Sequence, residues 1–257
     1  VQYASWFGNM LRLDFGTSFF YETPVSEDLK TKFPVTLELA LLATILAVIV
    51  AVLLGVISAI KQDTLGDYVT RIITIAGVAM PSFWLAILII FGLVLVFGWM
   101  PPIIYVSLWD DPLGNMKQMF FPALALGFSN MAFIARVTRS AMLEVFREDY
   151  IRTARAKGLD ENGVLYGHVF RNAMLIIIAG FPAAFVGMFF TGVLLIEYIF
   201  SLDGLGLLGF ESVINRDYPV VFGTLFIFTL IGMLLKLISD LTYMWVDPRI
   251  DFERRDN

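Results

Sequence analysis

The residues able to do chemistry in this chain are few, and their types decide which reactions are open to it. There is one histidine, His168, and no cysteine. A thiolate nucleophile, a disulfide, a thiolate metal site and a multi-histidine metal site are therefore excluded. His168 has no acidic partner at ligand spacing, so it reads as a polar residue of a water-facing or interfacial segment. Gly204, Gly206 and Gly209 in GLGLLG match the letters of G-x-G-x-x-G. No strand precedes them and no βαβ unit surrounds them, so the match is accidental. Neither G-x-x-x-x-G-K-[ST] nor H-E-x-x-H occurs. The chain offers no P-loop and no zinc-protease helix.

What remains is charge set against apolar sequence. Lys236 lies ten residues before Val246, roughly 15 Å at 1.5 Å per residue. Asp240, four residues on, shares its helical face. Pairing or snorkelling is one account of Lys236, and a solute pathway lined by an intramembrane charge is the other. Glu197, near the end of another apolar run, leaves the same choice open, and Glu38 sits where an interfacial residue would.

The largest concentration of charge is Arg147 to Asn172, REDYIRTARAKGLDENGVLYGHVFRN, an island between long apolar segments. Glu148 to Lys157 reads as a helix with Tyr150, Ile151 and Ala154 on one face, and Gly158 is its stop. A second polar helical segment begins near Asp160 and merges into Arg171. By periodicity alone, a generic amphipathic helix on a membrane surface accounts for the island equally well.

The elements that must position these residues are membrane spans. The chain is 58% hydrophobic, 15% aromatic and 16% charged, with mean hydropathy +0.79. Soluble domains carry about 25% charged residues. The apolar runs are too long, and lack the period of two, to be strands of a membrane barrel, so the spans are helical. Five are expected: Leu37 to Ile60, Ile72 to Phe97 with a kink at Pro81, Phe120 to Arg136, Ala173 to Phe200, and Val221 to Val246. Pro34 is expected to open the first of them. Residues 1–33 form an aromatic, half-polar segment suited to an external interface, and residues 99–117 and 201–220 read as loops. Gly180, Pro182, Gly187 and Gly192 mark the fourth span for close packing or local unwinding. Val1 is not Met, and no basic segment followed by an apolar one opens the chain, so a span upstream is expected to be missing.

Basic residues set the orientation. Lys61, Arg71, Arg136, Arg139, Arg147, Arg152, Arg155, Lys157, Arg171, Arg249, Arg254 and Arg255 fall on one side. Arg12, Lys30, Lys32, Lys117 and Arg216 fall on the other. That bias places the island and the C-terminus in the cytoplasm and the first residues outside. No internal repeat is visible, which leaves an inverted-repeat carrier without support.

The island also carries a resemblance. AlaArgAlaLysGlyLeu (154–159) followed by HisValPheArgAsnAla (168–173) resembles the cytoplasmic coupling loop of ABC-transporter permeases of the dipeptide and oligopeptide class. In the general importer motif Glu-Ala-Ala is followed after three residues by Gly. Arg152, Thr153, Ala154 and Gly158 occupy those places, so only the last Ala and the Gly match, and Arg171 stands about where the motif has Pro. FSLDGLGLLGFESVINRDYPVVFGTL (200–225) and WVDPRIDFERRD (245–256) are similar to the C-terminal half of the same class, above all to its YejB-type members, associated with oligopeptide uptake including microcin C-like peptides. The resemblance runs from about Gln2 to the end and is most specific after Asp149.

It implies an all-α integral membrane protein, a polytopic helical bundle of the type I ABC-importer permease fold, with the family's first span absent. Residues 34–257 would then be the permease domain, with the coupling loop at 141–172 and a cytoplasmic tail at 247–257. It further implies a transport subunit without a catalytic site, in a bacterial inner membrane, that binds no cofactor. ATP and Mg would sit on separate or fused cytoplasmic ATPase partners. The other implied partners are a second homologous permease, a periplasmic or extracellular peptide-binding protein, the peptide and membrane lipid; nucleic acid is not among them. The coupling contact would fall on Glu148, Tyr150, Ile151, Arg152, Ala154, Arg155, Lys157, Gly158 and Leu159, with Tyr150, Ile151, Ala154 and Leu159 as its apolar face. A translocation path would draw on Asn130, Thr191, Glu197, Lys236 and Asp240. Alternatives are another cargo of the same class, such as nickel complexes, an ion-coupled secondary carrier, or a polytopic membrane enzyme. A carrier should show several acids at mid-membrane and an enzyme a cluster of acids, histidines or a nucleophile with its base; this chain has neither.

Overall fold

The computed structural model describes residues 2–102 and 104–246, and its elements are all helices. In order they are α1 (Gln2–Leu11), α2 (Val25–Ile60), α3 (Leu65–Ala79), α4 (Ser82–Phe97), α5 (Pro112–Phe146), α6 (Asp149–Ala156) and α7 (Glu161–Val164). A π-helical turn follows at Leu165–Phe170, then α8 (Arg171–Thr191), α9 (Val193–Phe200), α10 (Leu205–Ile214) and α11 (Tyr218–Val246). Among the described residues, three helices are long and apolar enough to cross a membrane, Val25–Ile60, Pro112–Phe146 and Tyr218–Thr242. The number rises to five if α3 with α4, and the end of α8 with α9, each count as one broken span. That agrees with the five apolar runs of the sequence.

Several details differ from expectation, each for a local reason. Pro34 does not open α2 but lies inside it, because the helix starts at Val25. Glu27 and Asp28 occupy the first turn, where a carboxylate meets the positive end of the helix dipole. The apolar pattern begins only later and hides this amphipathic start. Pro81 does more than kink its span. Met80, immediately before it, is extended (φ −90°, ψ 124°), the conformation proline imposes on its predecessor, and α3 ends there. The fourth run breaks at Gly192, one of the four positions expected to pack closely or unwind, while Pro182 stays inside α8. A Cβ at Gly192 would lie 2.4 Å from Leu126 Cδ1, so a larger residue would require that side chain to move. The run 201–220 contains α10, and α5 extends past Arg136 to Phe146, carrying regular helix into the charged island.

The described chain forms two compact units. The first draws on residues 1–43, 82–126 and 187–234. Val25 and Leu29 of α2 pack there with Leu205, Leu208 and Val220, flanked by Phe15, Phe33, Ile227 and Phe228. The second draws on residues 44–81, 127–186 and the described part of 235–257. Its core joins Ala59 of α2, Ala141 and Met142 of α5, Ile151 and Ala154 of α6, Val164, Val169, and Ala173 of α8.

Candidate functional site

The charged island folds as one continuous support for a short surface helix. Glu148 is extended ahead of α6, and α6 itself ends in a glycine turn. Gly158 takes φ +84°, its N–H donates to the Arg155 carbonyl at 2.9 Å, and the Leu159 N–H donates to the Ala154 carbonyl at 3.3 Å. These are the two bonds of a Schellman motif, which satisfies the last carbonyls and turns the chain sharply. Asp160 then caps α7, accepting from the Gly163 N–H at 3.2 Å. The wide π-helical turn, which contains His168, leads directly into α8.

The two faces of α6 have different partners. Ile151 is fully buried and Ala154 nearly so, both against α5, α7 and the start of α8. Of the four residues assigned to an apolar contact face, these two are occupied by the chain's own core and present nothing outward. Glu148, Arg152, Lys157 and Gly158 are exposed, and Tyr150 and Leu159 remain accessible at 44% and 41%. The outward surface is thus charged, with two apolar residues at its edges. It is also held in place. Arg155 Nε and Nη2 donate to Glu161 Oε1 and Oε2 at 3.0 and 3.1 Å, bracing α6 against α7, and its guanidinium lies 6.0 Å from the Phe146 ring centre. The Asn172 amide donates to the Tyr150 hydroxyl at 3.1 Å and to the His168 carbonyl at 2.9 Å, which ties α6 to α8. Beside α6 a groove of about 370 Å³ is lined by Ile60, Gln62, Phe146, Arg147, Arg155 and Asn162, among others.

Residues assigned to a pathway lie on different helices and in both units. Lys236 Nζ donates to Asp240 Oδ1 at 2.8 Å, and both are accessible, at 67% and 38%. Asn130 is half-buried on α5. The side chain of Thr191 lies outside the described residues, as does the tail 247–257. Glu197 is fully buried and engaged: Oε1 accepts from the Thr36 hydroxyl at 2.6 Å and Oε2 from the Leu207 N–H at 3.0 Å. Thr36 in turn accepts from the Leu205 N–H at 2.7 Å. Glu197 therefore anchors the start of α10 instead of facing solute. The GLGLLG run finds its physical reason here, since a Cβ on Gly204 or Gly206 would fall 2.3 or 2.9 Å from that carboxyl.

Sequence reasoning missed two further networks. In the second unit, Asp67 is completely buried and gathers Ser58, Arg71 and Arg139 from three helices. In the first, Asp217 accepts from the Ser18 hydroxyl at 2.5 Å and from the N–H groups of Phe19 and Phe20 at 3.1 and 3.3 Å. The Asp67–Arg71 spacing of four was a visible signal, whereas Arg139 and Ser18 lie too far along the chain to be paired from sequence.

Residues 51–252 match the model of a family described as the binding-protein-dependent transport system inner membrane component. The chain is 48% identical to the peptidoglycan transport system permease protein YejB of Agrobacterium fabrum, over 96% of this chain and 71% of that one. It is 42% identical to the inner membrane ABC transporter permease protein YejB of Escherichia coli O157:H7, over 99% and 72% of the two chains. Identity to the oligopeptide transport system permease protein AppB of Bacillus subtilis is 39%, over 98% and 80%. A crystal structure of an amino acid ABC transporter with histidines superposes with a TM-score of 0.68 at 15% identity, covering 86% of this chain and 94% of that one, a likeness of fold.

Proposed function

Since the chain belongs to the family of binding-protein-dependent transport system inner membrane components, we propose that it is the permease subunit of an ATP-driven importer of oligopeptides. The observation that carries this is the identity of 38–48% to relatives whose names specify peptide, oligopeptide or peptidoglycan transport or the YejB permease. The α6 helix supplies the mechanical part. Its outer surface of Arg152, Lys157, Tyr150 and Leu159 meets a groove on a cytoplasmic ATPase subunit, while Ile151 and Ala154 fasten it to α5 and α8. Closure of the ATPases on ATP and Mg displaces α6, and because Ile151 and Ala154 are buried in one core with α5 and the start of α8 the displacement passes into the membrane helices. The chain itself does no covalent chemistry. A second permease completes the path, and a peptide-binding protein delivers cargo to the outer side.

The test is reconstitution of the chain in proteoliposomes with the second permease, the ATPase subunits and the binding protein. ATP-dependent uptake of a labelled oligopeptide, abolished by omitting the binding protein, is the expected result. Uptake of nickel complexes with no uptake of peptide would replace the cargo, and transport driven by an ion gradient without ATP would overturn the mechanism.

A further inference from the structure

We propose that Asp67 is a positioning residue that makes α3 and α5 a single rigid arm, carrying the displacement of α6 to the chain break at Met80 and Pro81. The inference rests on the role proposed above for α6. Asp67 Oδ1 accepts from the Ser58 hydroxyl of α2, from Arg71 Nε at 3.1 Å and from Arg139 Nε at 2.9 Å. Oδ2 accepts from the Asp63 N–H at 3.0 Å, Arg71 Nη2 at 2.5 Å and Arg139 Nη2 at 3.0 Å. Arg139 Nε also donates to the Ser58 hydroxyl oxygen at 3.0 Å. A carboxylate offers about four lone-pair sites, and six donors converge on this one. Two guanidinium forks from different helices are more than neutralising one buried charge requires, and their fixed planes set the relative position of α3 and α5.

The same two helices are joined again toward the other end of α3. The Ser129 hydroxyl of α5 donates to the carbonyls of Gly77 and Met80 at 3.0 and 3.2 Å. A Cβ on Gly77 would lie 2.7 Å from Ala132 Cβ, so α3 and α5 approach closely at this point. A Cβ on Gly55 of α2 would meet Thr138 at 2.6 Å, which adds the end of α2 to the arm. Ala141 and Met142, two and three residues beyond Arg139 on α5, belong to the same buried cluster as Ile151 and Ala154. One packed path therefore runs from α6 through α5 and Asp67 into α3, whose last hydrogen-bonded turn ends at Met80. A buried ion cluster that merely stabilised the fold would need no such continuity.

The experiment uses the complete transporter in proteoliposomes and measures peptides imported per ATP hydrolysed. Arg139→Lys keeps the charge and removes the fork. Its expected result is an assembled complex that still hydrolyses ATP but whose import per ATP falls about five-fold or more, the low end of a typical coupling energy. Ser18→Ala, which breaks a buried hydrogen bond in the other unit, is expected to lower thermal stability and leave the ratio unchanged. Asp67→Asn should show the larger coupling defect; if it fails to assemble, Arg139→Lys and Asp67→Glu carry the test. A normal ratio in Arg139→Lys overturns the proposal, and so does an equal loss of coupling in Ser18→Ala. Absence of ATP-dependent uptake in the unaltered complex would instead remove the importer assignment on which the inference rests.

Discussion

Gly158 shows how much one backbone torsion can decide. Its φ of +84° closes α6, and open space surrounds the position a Cβ would take, so a substitution there meets backbone strain alone. That strain costs about 1–3 kcal/mol for a residue with a side chain. Gly158→Val is expected to insert normally and to lower peptide uptake about ten-fold while ATP hydrolysis persists, as measured in the reconstituted complex; normal uptake would show that the turn does not matter to coupling. Asp217 permits a pH argument. Burial works to raise the pKa of its carboxyl, and the Ser18 hydroxyl with the N–H groups of Phe19 and Phe20 outweighs it, leaving it below the ordinary 3.8. A group depressed in the folded state stabilises the fold above its unfolded pKa and loses that contribution as pH falls through the folded value. Asp217→Asn should therefore cost about 1–3 kcal/mol at neutral pH, and the gap to the unaltered protein should narrow as pH drops below about 4. Thermal unfolding in detergent at several pH values checks this, and a constant gap would contradict it.

The elements explain why some features were readable and others were not. The apolar runs, the glycine stop and the second segment beginning at Asp160 were legible, because each depends on neighbours in sequence. The start of α2 was not, since the acidic turn at Glu27 and Asp28 precedes any apolar period. Ile151 and Ala154 were legible as one face of α6, but sequence does not say whether an apolar face meets a partner or the chain's own core. For Glu197 the choice stayed open for a related reason: its partners Thr36 and Leu207 belong to other elements, and a carboxylate at the end of an apolar run looks the same whether satisfied or free. On α11 the Lys236–Asp240 pair is accessible beside exposed Met233, Leu237 and Ile238. A charge in that setting is tolerated when paired or faced by protein or water. Lys236→Leu leaves Asp240 alone and is expected to reduce co-purification of the second permease more than it alters peptide preference. Adding Asp240→Leu should restore assembly; altered preference with intact assembly would assign the pair to the path.

At the scale of the whole molecule, the role proposed for α6 makes its outward surface the point where this permease receives energy from the ATPase. The absence of cysteine allows that claim to be addressed with single introduced thiols. Arg152 and Lys157 point outward, whereas Ile151 is buried in the chain's own core. The deciding measurement is cross-linking of Arg152→Cys and Ile151→Cys variants, in the assembled transporter, with a short thiol-to-amine reagent. A covalent adduct with the ATPase subunit from Arg152→Cys and none from Ile151→Cys is the predicted result. No adduct from Arg152→Cys, with an adduct from a cysteine placed elsewhere on the chain's cytoplasmic surface, would contradict it.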